Sequence, residues 1–499
     1  MNIIINPERI AWKDIVARPL IDRQSLAPMV NDVLTQVRER GDEALRELTL
    51  KFDKVVPENW LTSEQEFNEA EAKLSDNLKN AIRTAKENIA KFHQAQMPKQ
   101  VEVETAEGVR CWQKATPINR IGLYVPGGSA PLFSTVLMLA IPAQIAGCGE
   151  VVLCTPPNKE GKINPAILFA ARLTGVRRVF KVGGSQAIAA MAFGTETIPQ
   201  VDKIFGPGNQ YVTCAKQLVS SMGVAIDMPA GPSEVLVVVD DQTPVQFAAA
   251  DLLSQAEHGP DSQVVLVSLS QHKIEDVWQE TQRQLDELPR REFAQKALAN
   301  SRFVCFNDID TAMDFVNAYA PEHLILSVSN PDDWAQRVRQ AGSVFMGYYS
   351  CESAGDYASG TNHTLPTNGY ARAYSGVNID SFMKKITFLL LTFFSLFLCS
   401  CGIKSDRFKI SGKFLHMNQA EFYIYSPDGV ISGIDTIQIS GGEIDYEIPC
   451  HNEGTLVIIF PNFSQQPIFA EPGTSVTIKA DASHYILSVF CYVTIRSLF

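Results

Sequence analysis

Residues 24–97 read as helix: Ser25 followed by Pro28 supplies a start, and Ala, Leu, Glu, Lys and Arg dominate the rest of the segment. Gly41-Asp42 and Val56-Pro57-Glu58-Asn59 interrupt the run. Over 100–123 the pattern switches to short strand-like stretches, such as Val101-Glu102-Val103 and Gly108-Val109-Arg110-Cys111-Trp112. From about 124 to 240 it alternates between strand and helix. Apolar strands fit at 151–154, 179–182 and 203–205, with apolar helices at 133–145 and 186–193. Residues 234–239 form the unbroken apolar run of a central parallel strand. A second series comes next, with strands at 263–269, 302–306, 324–328 and 343–346 and helices at 245–257, 273–298, 310–319 and 332–341.

Two successive series of this kind predict an α/β protein with two doubly wound, Rossmann-like domains behind an N-terminal helical region. The boundaries fall at 1–110, 111–240 and 241–382. At Phe382 the character changes. Met383-Lys384-Lys385 is basic, 386–398 is continuously apolar, and Leu398-Cys399-Ser400-Cys401 closes the stretch. That order is the order of a secretory signal, and its terminal cysteine resembles the lipobox of bacterial lipoproteins. The apolar stretch also fits a buried core helix, and it is short for a membrane span. Residues 402–482 alternate polar and apolar positions between turn signals (Pro427-Asp428-Gly429, Gly441-Gly442, Glu471-Pro472-Gly473), which predicts a small antiparallel all-β domain. It is similar to the β-rich domain of bacterial lipoproteins. Residues 483–499 are apolar and unpatterned.

Composition changes this picture little. The 499 residues are 45% hydrophobic and carry a net charge of -12, which permits a large core and disfavours a nucleic-acid partner. None of the ten cysteines forms a C-x-x-C pair, so the first six read as reduced, cytosolic thiols. The opening Met1-Asn2-Ile3 lacks a basic signal region and reads as a short strand.

Three glycine loops come after predicted strands: Gly122-Leu123-Tyr124-Val125-Pro126-Gly127-Gly128, Gly183-Gly184-Ser185-Gln186 and Gly206-Pro207-Gly208-Asn209. Each fits a tight turn; three at the carboxyl ends of parallel strands point to one ligand crevice. None is a G-x-G-x-x-G fingerprint. Gln255 and His258 are three apart and share a helix face, which fits a metal pair or an ordinary surface histidine. Glu322 and His323 offer two proton acceptors of different pKa, or a solvated Glu beside a half-buried His. The polar loop 352–363 contains Asp356 and His363, the groups in it able to bind a cation, and a second polar loop, 227–234, enters the longest strand.

These segments together resemble the histidinol dehydrogenases over about residues 5–382, through G-L-Y-V-P-G-G, V-G-G-S-Q-A-I-A, G-P-G-N, D-M-P-A-G-P-S-E, A-P-E-H-L and G-D-Y-A-S-G-T-N-H-T-L-P-T. The resemblance implies NAD-dependent oxidation of L-histidinol to L-histidine through histidinaldehyde, with a zinc ion. It implies NAD contacts at Tyr124, Gln186 and Asn209, and substrate contacts at Ser233, Gln255, His258, His323 and Asp356. It also implies zinc ligands at Gln255, His258 and Asp356, a lining role for His363, and Glu322 with His323 as the catalytic pair. Family members are homodimers whose C-terminal tail supplies a further zinc ligand and a substrate-binding glutamate to the partner subunit. Here Ser381–Phe388 fits both the end of a dehydrogenase body and the start of a lipoprotein signal. The expectation is a chimera with impaired turnover and uncertain pairing. Its body would be cytoplasmic, its 383–499 part would derive from an exported lipoprotein, and only 386–401 would meet a membrane. The alternative reading is an envelope lipoprotein or binding module acting through residues 402–480.

Overall fold

All six residues of Glu234–Val239 are buried, as an unbroken apolar run requires when both faces of a sheet are covered. The computed structural model describes residues 3–18, 23–106, 108–127, 132–391, 406–417, 419–461, 463–481 and 488–492. It divides into two units, Met1–Leu391 and Thr392–Phe499.

The strands of the first unit are β1 (Ile3–Ile5), β2 (Val101–Ala106), β3 (Val109–Pro117), β4 (Arg120–Tyr124), β5 (Glu150–Thr155), β6 (Arg178–Lys181), β7 (Lys203–Phe205), β8 (Ala225–Ile226), β9 (Glu234–Val239), β10 (Gln263–Ser268), β11 (Arg302–Cys305), β12 (His323–Ser327), β13 (Ser343–Met346) and β14 (Met383–Leu391). One parallel sheet has the order β6-β5-β4-β7-β8 and a second the order β1-β11-β10-β9-β12-β13. In the second sheet Val235, Val237 and Val239 face one core while Leu236 and Val238 face the other. Helices fill both sides.

Two strands of this unit join a different sheet from the one expected. The strand β9, expected within 111–240, belongs to the second sheet, where it pairs with β10 and β12. The boundary at 240 would cut that sheet, and the crossover between the sheets is instead the polar loop that precedes β9. The N-terminal strand β1, assigned with the helical region, also joins the second sheet, beside β11. Apolar periodicity reports that a strand is buried and is silent on which neighbour it pairs with.

The helical region resolves into Arg23–Asp53, Glu64–Lys73 and Asp76–Gln94. Gly41 kinks the first of them with φ 52°, and Ser63 opens the second with a capping box. The expected helix at 273–298 is two helices, Gln271–Leu285 and Arg291–Ala299, and the one at 332–341 shortens to Pro331–Ala335.

Over the residues described, the apolar segment after Phe382 is a strand and not a core helix. Met383–Leu391 is a strand, antiparallel to β3, in a three-stranded sheet ordered β14-β3-β2. Phe388 stacks on Trp112 with ring centroids 5.2 Å apart. Backbone pairing satisfies the segment although Ile386 and Leu389 remain exposed. Residues 392–401 lie outside the described residues, and no described helix is long and apolar enough to cross a membrane.

The second unit holds β15 (Arg407–Leu415), β16 (Gln419–Tyr425), β17 (Ile434–Ser440), β18 (Glu443–Pro449), β19 (Gly454–Ile459), β20 (Gln465–Ala470), β21 (Ser475–Asp481) and β22 (Ser488–Tyr492). They form one sheet ordered β20-β19-β16-β17-β18-β15-β21-β22. Its core takes alternate residues, including Phe408 with Ile410, Phe422 with Ile424, and Val476 with Ile478. The sheet is not wholly antiparallel, because β15 and β21 run parallel. The tail expected to lack pattern contributes β22, antiparallel to β21.

Candidate active site

The three glycine loops meet at the carboxyl ends of the first sheet. Gly206 has φ +123°, and a Cβ there would overlap the carbonyl of Tyr124. Gly127 and Gly183 both press against Pro156, which comes just after β5, so a side chain at either would collide with it. Close backbone approach is thus the reason for glycine at these positions. Gly128 lies outside the described residues. The loops border a cleft of about 660 Å³ whose wall includes Asp53, Gly127, Gly184, Gln186 and Asn209.

Sequence reasoning placed Tyr124, Gln186 and Asn209 here, and the structure gives each a different role. Gln186 is buried on the cleft wall, its Oε1 without a partner among the described residues and its Nε2 3.5 Å from Asp53 Oδ2. Asn209 lines the cleft while capping the helix Gln210–Ser221, accepting from the backbone N–H groups of Tyr211 and Val212 at 3.1 Å. Tyr124 is buried behind the wall, where its hydroxyl accepts from the Gly184 N–H at 3.0 Å. It fixes a helix start and is not among the residues lining the cleft. Asp53, at the end of the helix Arg23–Asp53, carries no local motif and escaped notice.

The acid–base groups gather at the amino ends of the second sheet. His323 opens β12, in register with Val235 of β9, and Glu322 directly precedes it. Both are buried, and Glu322 Oε2 accepts from the Glu234 N–H at 2.9 Å. Gly342 is needed beside them, since a Cβ there would sit 2.6 Å from the Glu322 carbonyl oxygen. Among the described residues His323 has no hydrogen bond at either ring nitrogen. Its Nδ1 lies 3.7 Å from Glu322 and its Nε2 lies 3.9 Å from Asp356.

Two further elements close the group. The helix Val245–Ala256 brings Gln255, with exposed His258 just beyond its end; the helix Glu352–Tyr357 brings Glu352 and Asp356. Potential ligand atoms of His258, Glu352 and Asp356 all lie within 4.8 Å of one another. With its amide oriented to suit its neighbours, Gln255 donates to Glu352 and accepts from the Glu234 N–H. His363 Nδ1 donates to the Asp356 carbonyl at 2.9 Å, and its Nε2 is 3.3 Å from Thr135 Oγ1 on a helix of the first sheet. Ser233 is half-buried immediately before β9, its carbonyl accepting from the Gln263 N–H at 3.2 Å. In this group Glu352 was missed. Its i,i+4 spacing to Asp356 was the available signal, obscured because the segment reads as loop.

Comparison with known proteins decides the family. A family model for histidinol dehydrogenase matches residues 16–396. The chain belongs to the histidinol dehydrogenase family. It is 58% identical over 388 residues to a histidinol dehydrogenase of Bacteroides thetaiotaomicron, covering 78% of this chain and 91% of that relative. A Xanthomonas euvesicatoria relative is 54% identical over 382 residues, covering 76% and 88%. The crystal structure of histidinol dehydrogenase from Elizabethkingia anophelis aligns with TM-score 0.77 at 54% identity, over 79% of this chain and 90% of that one. The family match takes in β14, and the reading of the chain as a lipoprotein acting through 402–480 finds no support.

Burial sets the electrostatics of this group of residues. Burial pushes Glu322 and Glu352 well above the carboxylate range and Asp356 up to about 6. It pushes His323 down to about 3 and His363 down to about 4. Acids driven toward neutrality, beside bases kept neutral, mark a pocket short of positive charge. An oxygen-rich cradle with one imidazole suits a divalent cation, and zinc accepts this donor set. His258, Glu352 and Asp356 would hold it together with Gln255, the ligand expected from the sequence, whose amide contacts Glu352.

The loop carrying Asp356 and His363 is braced from behind by the helix Asp76–Gln94. Asn88 donates to the Ala358 carbonyl at 2.7 Å, and Gly360 lets the loop pass the Asn88 carbonyl. Buried His93 donates from Nδ1 to Ile89 O at 2.8 Å and accepts at Nε2 from Asn362, 3.3 Å away. Burial lowers the His93 pKa. The unfolded chain therefore binds more protons than the folded one once pH drops below about 6.5, and stability falls with it. Compared with His93→Gln, the wild-type chain is expected to lose stability faster between pH 7.5 and 5.5, by up to about 1.4 kcal/mol per pH unit. Urea unfolding at both pH values checks this; parallel losses would contradict it.

Proposed function

We propose that this chain oxidises L-histidinol to L-histidine through histidinaldehyde, at a site where NAD occupies the cleft of the first sheet and zinc the cradle of the second. The observation that carries the reading is the meeting of Glu322 and His323 with His258, Glu352 and Asp356, in a chain of this family. Neutral His323 is in the right state to take the alcohol proton as hydride leaves the carbinol carbon. Glu322, a strong base once ionised because burial disfavours its charge, would take a proton from the water that adds to the aldehyde. Loss of a second hydride from the hydrate then gives the carboxylate. Bound NAD would supply the acceptor for both hydrides. Zinc held by the cradle would supply a Lewis acid for positioning the substrate. Gln255 and Ser233 would complete the substrate's surroundings, with His363 holding the Asp356 loop.

The finer readings belong to the same proposal. The two parallel sheets with helices on both faces fit doubly wound, Rossmann-like domains. The described residues of the second unit, from 406 on, lie beyond the matched residues 16–396, and the signal-like order of residues 383–401 supports an origin of that part in an exported lipoprotein. Family resemblance then implies that a zinc ligand and the tail that pairs subunits are missing. Turnover should accordingly be weak, and grafting the C-terminal segment of the Bacteroides thetaiotaomicron relative after Leu391 should raise NADH formation from L-histidinol roughly a hundredfold or more. A folded, zinc-loaded graft that forms no NADH would rule the reading out. The intact mass of the natural protein tests the chimera separately.

A further inference from the structure

We propose that Asp53 makes the cleft of the first sheet select NAD over NADP, by accepting hydrogen bonds from the adenosine ribose and repelling a 2′-phosphate. The inference rests on the NAD reading above and adds the residue that sets cofactor choice. Asp53 ends the helix Arg23–Asp53 and lines the same cleft as Gln186 and Asn209. Among the described residues lining that cleft there is no Lys or Arg, and Asp53 is the one carboxylate. The phosphates of a dinucleotide would face the positive amino ends of the helices Gly184–Phe193 and Gln210–Ser221. The formal charge in the wall is negative.

A carboxylate in a cleft for an anionic ligand is tolerated when the ligand donates hydrogen bonds to it. A dinucleotide's donors are its sugar hydroxyls and its amide and amino groups. The apolar wall beside Asp53, made by Met29, Val30 and Phe52, suits the adenine ring, and the reactive end must lie toward His323. This places Asp53 at the adenosine sugar, where vicinal hydroxyls fit a carboxylate. Among the described residues, the hydrogen bond to the Asp53 carboxylate from Gln186 Nε2 is long at 3.5 Å, and the buried Gln186 Oε1 beside it has no partner. Both leave polar capacity for a ligand. NADP removes the 2′-hydroxyl donor and sets a phosphate against the carboxylate.

The test is equilibrium binding of 5′-AMP and adenosine 2′,5′-bisphosphate to the full chain by calorimetry. Wild type is expected to prefer 5′-AMP by at least about tenfold, since like charges oppose the bisphosphate. Asp53→Asn and Asp53→Ser should erase most of that preference, and Asp53→Glu should keep it. Equal affinities in wild type, or an unchanged preference in both neutral variants, would overturn the proposal while leaving the NAD reading intact. A folded chain that binds neither probe would defeat the NAD reading itself.

Discussion

Glu322→Gln is expected to cut conversion of L-histidinol to L-histidine by roughly 10²–10⁴-fold, the range lost when a positioned proton acceptor is removed. The amide matches the carboxylate in shape and can still accept from the Glu234 N–H, so the buried start of β12 should survive. The group that takes a proton from water at the aldehyde is lost. Hydride transfer from the alcohol relies on His323, so the variant should retain more of the first oxidation than of the second. Supplying histidinaldehyde directly, with NADH formation as the readout, separates the halves in the tail-grafted chain. A variant that oxidises the aldehyde within tenfold of its parent would remove Glu322 from this role.

His258→Ala is expected to weaken zinc binding by at least about a hundredfold, a larger loss than that from disturbing a ligand's support. His258 is the imidazole of the cradle, and its other donors are oxygens, the carboxylates of Glu352 and Asp356 with the expected amide of Gln255. Competition with a chromophoric chelator measures it. The cradle also predicts a pH dependence. Burial raises Asp356 to about 6, so its cost to the cation-free fold is absent while the carboxyl is protonated and appears as pH rises through about 6. A cation relieves that cost, and protons compete with it below the same pH. Zinc should therefore raise Tm more at pH 7.5 than at pH 5.5. An equal rise at both pH values, or zinc affinity unchanged by His258→Ala, would place the metal elsewhere.

Much of the catalytic pattern could be read locally. Glu322-His323 joins a helix to a strand, and the order of the short motifs was specific enough to indicate the family. Tyr124, the NAD contact expected from the motif, shows what local pattern leaves unsaid about a side chain's setting. Its ring lies under the cleft wall and holds Gly184, a distinction that no spacing contains. Asp53 and Glu352 were illegible for a related reason. One ends a helix remote in sequence from the glycine loops, and the other sits in a stretch that reads as loop until a short helix turns it beside Asp356.

By itself the sequence determined the burial of β9, the turns that demand glycine, the residue types able to move protons, and the change of character after Phe382. Those properties depend on neighbours a few positions away, through side-chain volume, backbone freedom and period. Only the tertiary structure decided that β9 and β1 join the second sheet, that Met383–Leu391 pairs with β3, and that His258, Glu352 and Asp356 converge. Strand pairing and ligand convergence join residues far apart in the chain, and local patterning places no constraint on which distant partners fill a given backbone edge or a given charge deficit.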